Sequence, residues 1–269
     1  MTPAEVKEAT EALYEQGWIV RERFDDPEYQ DRAVALNNVA LKLLTGGAYK
    51  PAEEKKDPTE PSGEPMQWQG IDLTPDASFS IPAPLRTSRP FPIVGRRFTP
   101  KGFASYLAKT GRDGFTWNPT GITVHHTAYP DLDMRPSGFT EQHMWNLRGY
   151  YVGRGWSSGP HIFTDDKGIW ILTPLSRRGV HARSFNASRI GIETLGNFDN
   201  AKDFNSPRGQ KALLHSKLAA ALLMRYLGIS RGKLNFHRHD RLTSKTCPGR
   251  LVDFPKFEAD VIAIRDALG

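Results

Sequence analysis

Short apolar segments alternate with longer amphipathic ones from about Phe98 to the end of the chain, and this alternation limits the possible folds more than any other feature. The apolar segments have the length of strands, and the amphipathic ones have the length of helices. In chain order the pattern predicts a helix over 99–109, the strand GITVHH, a helix over 139–151, the strands PHIFTDD and GIWILTP, the strand RIGIETLG, a helix over 207–227, the strand KLNFH and a helix over 254–268. Strands mixed with helices of this length predict an α/β domain, a central mixed β-sheet flanked by helices.

The first third of the chain has a different character. Residues 1–47 contain two short amphipathic patterns, over 3–16 and 27–45, which predict a small helical segment of unknown role. Residues 51–100 hold 10 of the 20 prolines, so we interpret 48–97 as a proline-rich linker whose later part is an extended strap lying on the following domain. The predicted division is therefore 1–47, 48–97 and an α/β domain over 98–269.

The charge of the chain is divided in the same way. Residues 1–95 carry 10 Lys and Arg against 16 Asp and Glu, whereas residues 96–269 carry 26 against 14, a net charge of +12. A field of this sign favours polyanionic partners, but charge alone does not choose among nucleic acid, an anionic membrane surface and a bacterial cell wall. No apolar run reaches the roughly 18 residues of a membrane-spanning helix, and the single cysteine, Cys247, excludes an internal disulfide.

Three residues of types that bind zinc stand where predicted strands end or turns begin. His125 closes one strand, His237 closes another, and Cys247 follows in the turn-rich segment FHRHDRLTSKTCPG. Two imidazoles and a thiolate would form a catalytic zinc site with one open position. The alternative that spacing leaves open is that these are hydrogen-bonded core histidines and an ordinary buried thiol. His143 and His215 fall inside predicted helices, where solvated or core-edge imidazoles are the simpler interpretation.

Four ordered segments resemble the zinc-dependent N-acetylmuramoyl-L-alanine amidases of the amidase-2 and peptidoglycan-recognition-protein family. The segments are ITVHHTA at 122–128, SGPHIFTDDKGIW at 158–170, GVHARSFNASRIGIETLGNF at 179–198 and FHRHDRLTSKTCPG at 236–249. The lead-in before ITVHHTA also resembles that of phage cell-wall lysins. The resemblance covers roughly residues 98–269 and implies the fold, the reaction and a Zn²⁺ cofactor.

The resemblance implies a set of metal ligands. His125 matches the first ligand and Cys247 the last, while the middle ligand is either His237 or His239, which precede Cys247 by ten and eight residues. We favour His237, because it follows Asn235 on the polar face of the strand KLNFH. In addition, Lys245 and Thr246 precede the cysteine, as they do in the family members whose middle ligand stands ten residues before the last one.

The resemblance also implies catalytic and substrate-binding residues. Glu193 matches the general base of one branch, Lys245 the group that steadies the oxyanion, and His181 a cleft residue that contacts substrate or transition state. The expected substrate-binding residues are His126, which is also a neighbour supporting the ligands, His161 and Asn186. In RIGIETLG the alternation places Glu193 and Gly191 on one face of a covered strand, where a carboxylate is costly without a function or a partner.

One alternative and one departure from the family pattern affect the role of Glu193. Glu193 could instead form a salt bridge with one of the nearby arginines. In addition, Pro160 stands where many family members have a tyrosine that some branches use in catalysis, which shifts the role of base to Glu193.

The resemblance implies a peptidoglycan hydrolase that cleaves the amide between N-acetylmuramic acid and L-alanine, of the phage or prophage endolysin type. The alternatives are a recognition module that binds cell wall without cutting it and a cytosolic amidase that recycles muropeptides. The first residues, MTPAEVKEATEALYEQGW, lack the apolar region of a secretory signal, so we expect a cytoplasmic protein that reaches the wall after membrane breach. We also expect it to be a monomer. Nucleic acid is not an expected partner.

Overall fold

The computed structural model describes residues 68–268, which lie within one compact unit, Ser62–Gly269. The two helices predicted over 3–16 and 27–45 and the most charged part of the linker lie outside the described residues. Within 68–268, no helix combines the length and the apolarity needed to cross a membrane.

A six-stranded mixed sheet organises the domain, which confirms the predicted fold class. The strands are β1 (Arg96–Phe98), β2 (Gly121–His126), β3 (Ile162–Asp165), β4 (Gly168–Ile171), β5 (Arg189–Thr194) and β6 (Leu234–Phe236). Their order across the sheet is β1-β4-β3-β5-β2-β6. β4 is antiparallel to β1 and to β3, whereas β3, β5, β2 and β6 run parallel, so their carboxyl ends share one edge.

Five helices complete the described fold. They are α1 (Pro100–Thr110), α2 (Glu141–Gly153), the short α3 (Ala201–Asn205), α4 (Pro207–Tyr226) and α5 (Phe254–Ala267). α4 begins sharply, because the Ser206 hydroxyl accepts the Gly209 N–H at 2.9 Å and Pro207 occupies the first turn, where no amide donor is needed. The sequence predicts α1, α2, α4 and α5 to within two residues at each end, but it does not predict α3.

Each face of the sheet has its own apolar cluster. On one face Ile122, Val124, Ile190 and Ile192 pack with side chains of α1, α4 and α5. On the other face, Phe163 and neighbouring residues of β3 and β4 pack with α2. The strands β5, β2 and β6 carry polar groups on this second face, so it is the face on which a site can open.

Part of the segment 48–97 is built into the domain. Phe91 and Ile93 are fully buried, and the Val94 N–H donates to the Leu172 carbonyl at 2.9 Å. β1 then adds an antiparallel edge strand beside β4. The sequence predicts no strand here, because three residues after a proline-rich stretch carry no readable period.

Candidate active site

A cavity of about 1020 Å³ opens at the carboxyl edge of the parallel strands, on the sheet face opposite α4. Parallel register places His125 of β2 directly beside Glu193 of β5. The site residues that line the cavity, from the strand ends and the loops after them, are His125, His126, His181, Glu193, His237, Lys245 and Cys247.

Three potential metal ligands converge in this cavity. One ligand atom from each of His125, His237 and Cys247 lies within 4.8 Å of the other two. The Nδ1 atom of His125 is 3.6 Å from the Cys247 sulfur, and the His125 and His237 rings are 4.5 Å apart between centroids. Tetrahedral zinc with ordinary bond lengths holds its ligand atoms about 3.3–3.8 Å apart, so the distance between His125 and Cys247 and the donor types of all three residues fit this ion.

His237 reaches the cluster in a way that the sequence analysis describes wrongly. The strand β6 ends at Phe236, and His237 opens a 3₁₀ turn over His237–His239. The Phe236 N–H donates to Nδ1 of His239 at 3.3 Å, and the Asp240 N–H closes the turn on the His237 carbonyl. The turn directs His237 into the cavity, whereas the ring of His239 packs on Phe236 and Phe254.

The loop that carries Cys247 is held by an aspartate that the sequence analysis did not single out. The Asp199 carboxylate accepts the Thr246 hydroxyl at 2.6 Å and the Arg250 N–H at 2.7 Å. The Arg238 N–H donates to the Cys247 carbonyl at 2.8 Å, which ties the loop to the 3₁₀ turn. A lone aspartate in GNFDN carries no spacing signal, so only the fold reveals this function.

The electrostatics of the cluster favour a bound cation. Burial and the neighbouring imidazoles hold the pKa of His125 well below its usual value, and burial together with Lys245 lowers the pKa of His237. Both rings are therefore neutral at pH 7 and offer lone pairs. Burial raises the pKa of the Cys247 thiol, although the His126 N–H points at its sulfur from 3.4 Å. A thiol in this position ionises only when a positive charge is near.

Glu193 faces the same cluster. Its Oε1 atom is 3.9 Å from Nδ1 of His125, and among the described residues no arginine forms an ion pair with it. Burial raises the pKa of Glu193 to about 8, an effect that Lys245 partly opposes. A carboxyl group with a pKa near neutrality can both take and give a proton.

His181 lies at the wall of the cavity with both ring nitrogens engaged. Its Nδ1 atom is 3.0 Å from Nε2 of His125, and its Nε2 atom is 3.0 Å from the Arg189 carbonyl. Burial lowers the pKa of His181 to about 4, so the ring is neutral at pH 7.

The expected substrate-binding residues have different placements. His126 lines the cavity, and its Nδ1 atom accepts the Phe198 N–H at 3.2 Å. His161 is fully buried, stacks on Trp117 and bonds the Arg177 carbonyl, so it does not reach the cavity.

Asn186 does not line the cavity either, because its Oδ1 atom accepts the backbone N–H groups of His181 and Ala182. The structure therefore brings His126, but neither His161 nor Asn186, to the cavity.

An aromatic wall formed by the end of α2 and the residues after it completes the cavity, and the sequence analysis missed it. Tyr151 stacks on Trp156 with ring centroids 5.5 Å apart, and the Arg154 guanidinium lies over the rings of Tyr150 and Trp156. Gly159 makes room for this arrangement, since a Cβ there would meet the Tyr151 ring at 2.6 Å. The phenol of Tyr151, from α2, therefore lies against Gly159, next to Pro160. Burial, and secondarily the Glu193 charge, raise the pKa of Tyr151.

Known proteins resemble this chain in sequence and structure. Similar solved structures include an N-acetylmuramoyl-L-alanine amidase, LysC, from Clostridium intestinale URNW (26% identity, 54% of this chain and 87% of that one, TM-score 0.44) and the catalytic domain of XlyA (26%, 56% and 92%, 0.41). A third is Drosophila PGRP-LB (23%, 51% and 79%, 0.40). No curated protein matches significantly. Residues 116–250, half of the chain, match the family described as N-acetylmuramoyl-L-alanine amidase, and they include every residue of the donor cluster. The chain therefore belongs to the N-acetylmuramoyl-L-alanine amidase (Amidase_2) family.

Proposed function

We propose that this chain hydrolyses the amide bond between the lactyl group of N-acetylmuramic acid and the L-alanine of the peptidoglycan stem, with Zn²⁺ held by His125, His237 and Cys247. The observation that carries the proposal is the convergence of these three donors within 4.8 Å in an open cavity, with the Glu193 carboxyl beside them. Membership of the amidase family supplies the substrate class.

The three proposed ligands suit zinc because the two imidazoles are neutral and offer lone pairs, and because the buried thiol can ionise beside a positive charge. When bound, the ion would polarise the amide carbonyl and lower the pKa of a water molecule in the open coordination position. Because a raised pKa lets a carboxyl group both take and give a proton, Glu193 removes the proton of the attacking water and delivers it to the alanine nitrogen as the C–N bond breaks.

Lys245 supplies the positive charge for the developing oxyanion. It lines the cavity, and its field lowers the pKa of His125, His237 and Glu193, which are the groups around the reacting centre. Electrostatic stabilisation of this kind is commonly the largest single contribution to catalysis.

We extend the proposal to the biological setting, namely cell-wall lysis as a phage or prophage endolysin. The support is the net charge of +12 over residues 96–269, which suits an insoluble anionic wall better than a small soluble muropeptide. A direct test compares purified sacculi with soluble muropeptides as substrates. Comparable or faster release from sacculi is expected, whereas activity on soluble muropeptides alone would identify a recycling enzyme.

The reaction is tested by digesting purified peptidoglycan with and without a zinc chelator and identifying the soluble products by mass spectrometry. We expect chelator-sensitive release of stem peptides with a free N-terminal alanine from intact glycan strands. Binding to sacculi without release would instead identify a recognition module. Release that the chelator leaves unchanged would remove zinc from the proposal.

A further inference from the structure

We propose that His181 is a positioning residue that fixes the tautomer of His125, so that the Nδ1 lone pair of His125 points at the metal cluster. This inference rests on the proposed function, because it concerns the ligand set assigned there. It differs from the expectation drawn from the sequence, in which His181 itself touches substrate or transition state.

The first step concerns the proton on His181. Its Nε2 atom lies 3.0 Å from the backbone carbonyl oxygen of Arg189, and a carbonyl oxygen can only accept a hydrogen bond. Nε2 of His181 must therefore carry a hydrogen. A neutral imidazole has one N–H, so Nδ1 of His181 is left as an acceptor.

The second step passes this constraint to His125. Nδ1 of His181 lies 3.0 Å from Nε2 of His125, and an acceptor at that distance requires the hydrogen on Nε2 of His125. Nδ1 of His125 then holds the free lone pair. That atom is 3.6 Å from the Cys247 sulfur and 3.9 Å from Glu193 Oε1, so the lone pair lies on the side of the proposed metal. The Arg189 carbonyl thus sets the donor atom of His125 through one intervening ring.

The same two contacts leave His181 without a free N–H. One ring nitrogen donates to Arg189 and the other accepts from His125, so neither can donate to an oxyanion in this arrangement. His181 therefore affects the reaction only indirectly, by orienting His125.

Two other residues hold the His181 ring in place, and neither lines the cavity. Gly191 provides space on β5, because a Cβ there would meet Cγ of His181 at 2.5 Å and Cδ2 at 2.7 Å. The Asn186 amide oxygen accepts the His181 N–H at 2.8 Å and fixes the backbone that carries the ring. This arrangement gives Gly191 and Asn186 a function as supports of His181.

Three substitutions of His181 separate the two hydrogen bonds. In His181→Asn, the side-chain oxygen takes the place of Nδ1 and can still accept from His125. In His181→Gln, the longer amide reaches the place of Nε2 and can still bond Arg189, but it offers His125 no acceptor at the right position. His181→Ala removes both contacts.

The first measurement is the zinc dissociation constant of each variant, obtained by competition with a chromogenic chelator. Partners of this kind typically contribute 10- to 100-fold to metal affinity. We expect roughly this weakening in His181→Ala and His181→Gln and an affinity close to wild type in His181→Asn. The matched control is His215→Asn, which removes a buried imidazole bonded to a backbone carbonyl outside the cavity and is expected to leave zinc affinity unchanged. Equal affinities of the Asn and Gln variants would overturn the inference, as would wild-type affinity in His181→Ala.

The second measurement reads the tautomer in the metal-free protein by ¹⁵N NMR of the histidine rings. The His125 signals are assigned by their loss in His125→Gln. Wild type is expected to show His125 with its hydrogen on Nε2, and His181→Ala is expected to show a mixture of both tautomers. A wild-type ring with its hydrogen on Nδ1 would overturn the inference even if peptidoglycan is hydrolysed. Conversely, the expected tautomer and affinities without any release of stem peptides would overturn the proposed reaction alone.

Discussion

The two faces of β2 and β5 differ in what their side chains do, although the residues alternate along the same strands. One face carries Ile122, Val124, Ile190 and Ile192, all fully buried against helices. The opposite face carries Thr123, His125, Gly191 and Glu193, with His125 and Glu193 in register at the cavity. The comparison shows that one short strand pair can serve packing and chemistry at once, because period-two geometry keeps the two functions apart.

This separation has a consequence for mutation. A change on the packed face alters the free energy of unfolding, while the cavity keeps its groups. We expect a change on the cavity face to alter turnover or metal binding, while the core keeps its contacts. Substitutions on the two faces and in the neighbouring ligand turn, together with one pH profile, test how complete the separation is.

The largest expected effect is the loss of turnover in Glu193→Gln. The amide cannot take a proton from water, so we expect kcat to fall roughly 10²- to 10⁴-fold while zinc content is retained. Turnover is measured as the rate of stem-peptide release from sacculi. Glu258→Gln on α5, outside the cavity, is the matched control and is expected to keep wild-type turnover. Full activity in Glu193→Gln would remove this residue from the mechanism.

The next effect concerns the two histidines between which sequence spacing does not decide. His237→Ala removes a donor from the cluster, and we expect zinc affinity to fall more than about 100-fold, beyond the effect of losing a supporting residue. His239→Ala changes a ring that packs on Phe236 and Phe254, and we expect it to keep stoichiometric zinc with a lower thermal transition. Metal analysis after gel filtration distinguishes the two variants. Stoichiometric zinc in His237→Ala would show that the ligand assignment is wrong.

A third prediction tests the packed face. Ile192→Ala deletes a fully buried side chain between β5 and the helices, and such changes cost about 2–5 kcal/mol of unfolding free energy. We expect urea denaturation to show this loss, with zinc affinity and turnover close to wild type below the new transition. A large fall in zinc affinity in the folded variant would show that the two faces are coupled.

Much of this domain could be predicted from the local periodicity of its apolar residues. Alternation in GITVHH and RIGIETLG correctly places His125 and Glu193 on the face opposite the isoleucines, and the parallel register then brings them together. The helices α1 and α4 follow from their apolar pattern and from the capping residues Thr99 and Ser206. The roles of the site residues remain predictions until they are tested.

Features that depend on long-range contact could not be read in this way. The bond between His125 and His181 joins residues 56 positions apart, and the bond between Asp199 and Thr246 joins residues 47 apart. The placement of Tyr151 depends on space left by Gly159 in a different element. The 3₁₀ turn at His237 is closed by the Asp240 N–H on the His237 carbonyl, and the His239 side chain accepts the Phe236 N–H. Strand periodicity encodes neither contact.

A final expected effect is a pH dependence of stability in the metal-free protein, to which Glu193 on the cavity face contributes. The pKa of Glu193 is raised by burial from 4.5 to about 8, so between these values the folded state holds a proton that the unfolded state releases. The contribution of Glu193 to the free energy of unfolding therefore falls as pH rises through this window and is constant on either side. The buried imidazoles act in the opposite sense, since a lowered pKa costs stability as pH falls below 6.5.

Subtracting the wild-type curve of unfolding free energy against pH from that of Glu193→Gln separates the contribution of Glu193 from that of the imidazoles. The unfolding free energy of Glu193→Gln minus that of wild type is expected to grow steadily in favour of the variant from pH 4.5 to about 8. Ile192→Val, a change of one methylene on the packed face, should instead differ from wild type by a constant amount, about 0.5–1.5 kcal/mol, at every pH. The curves are measured by urea denaturation in the presence of a chelator. If the curves of unfolding free energy against pH for wild type and Glu193→Gln were parallel, Glu193 would be as solvated in the folded chain as in the unfolded one. Burial would then not distinguish the ionisable group on the cavity face from a surface carboxylate.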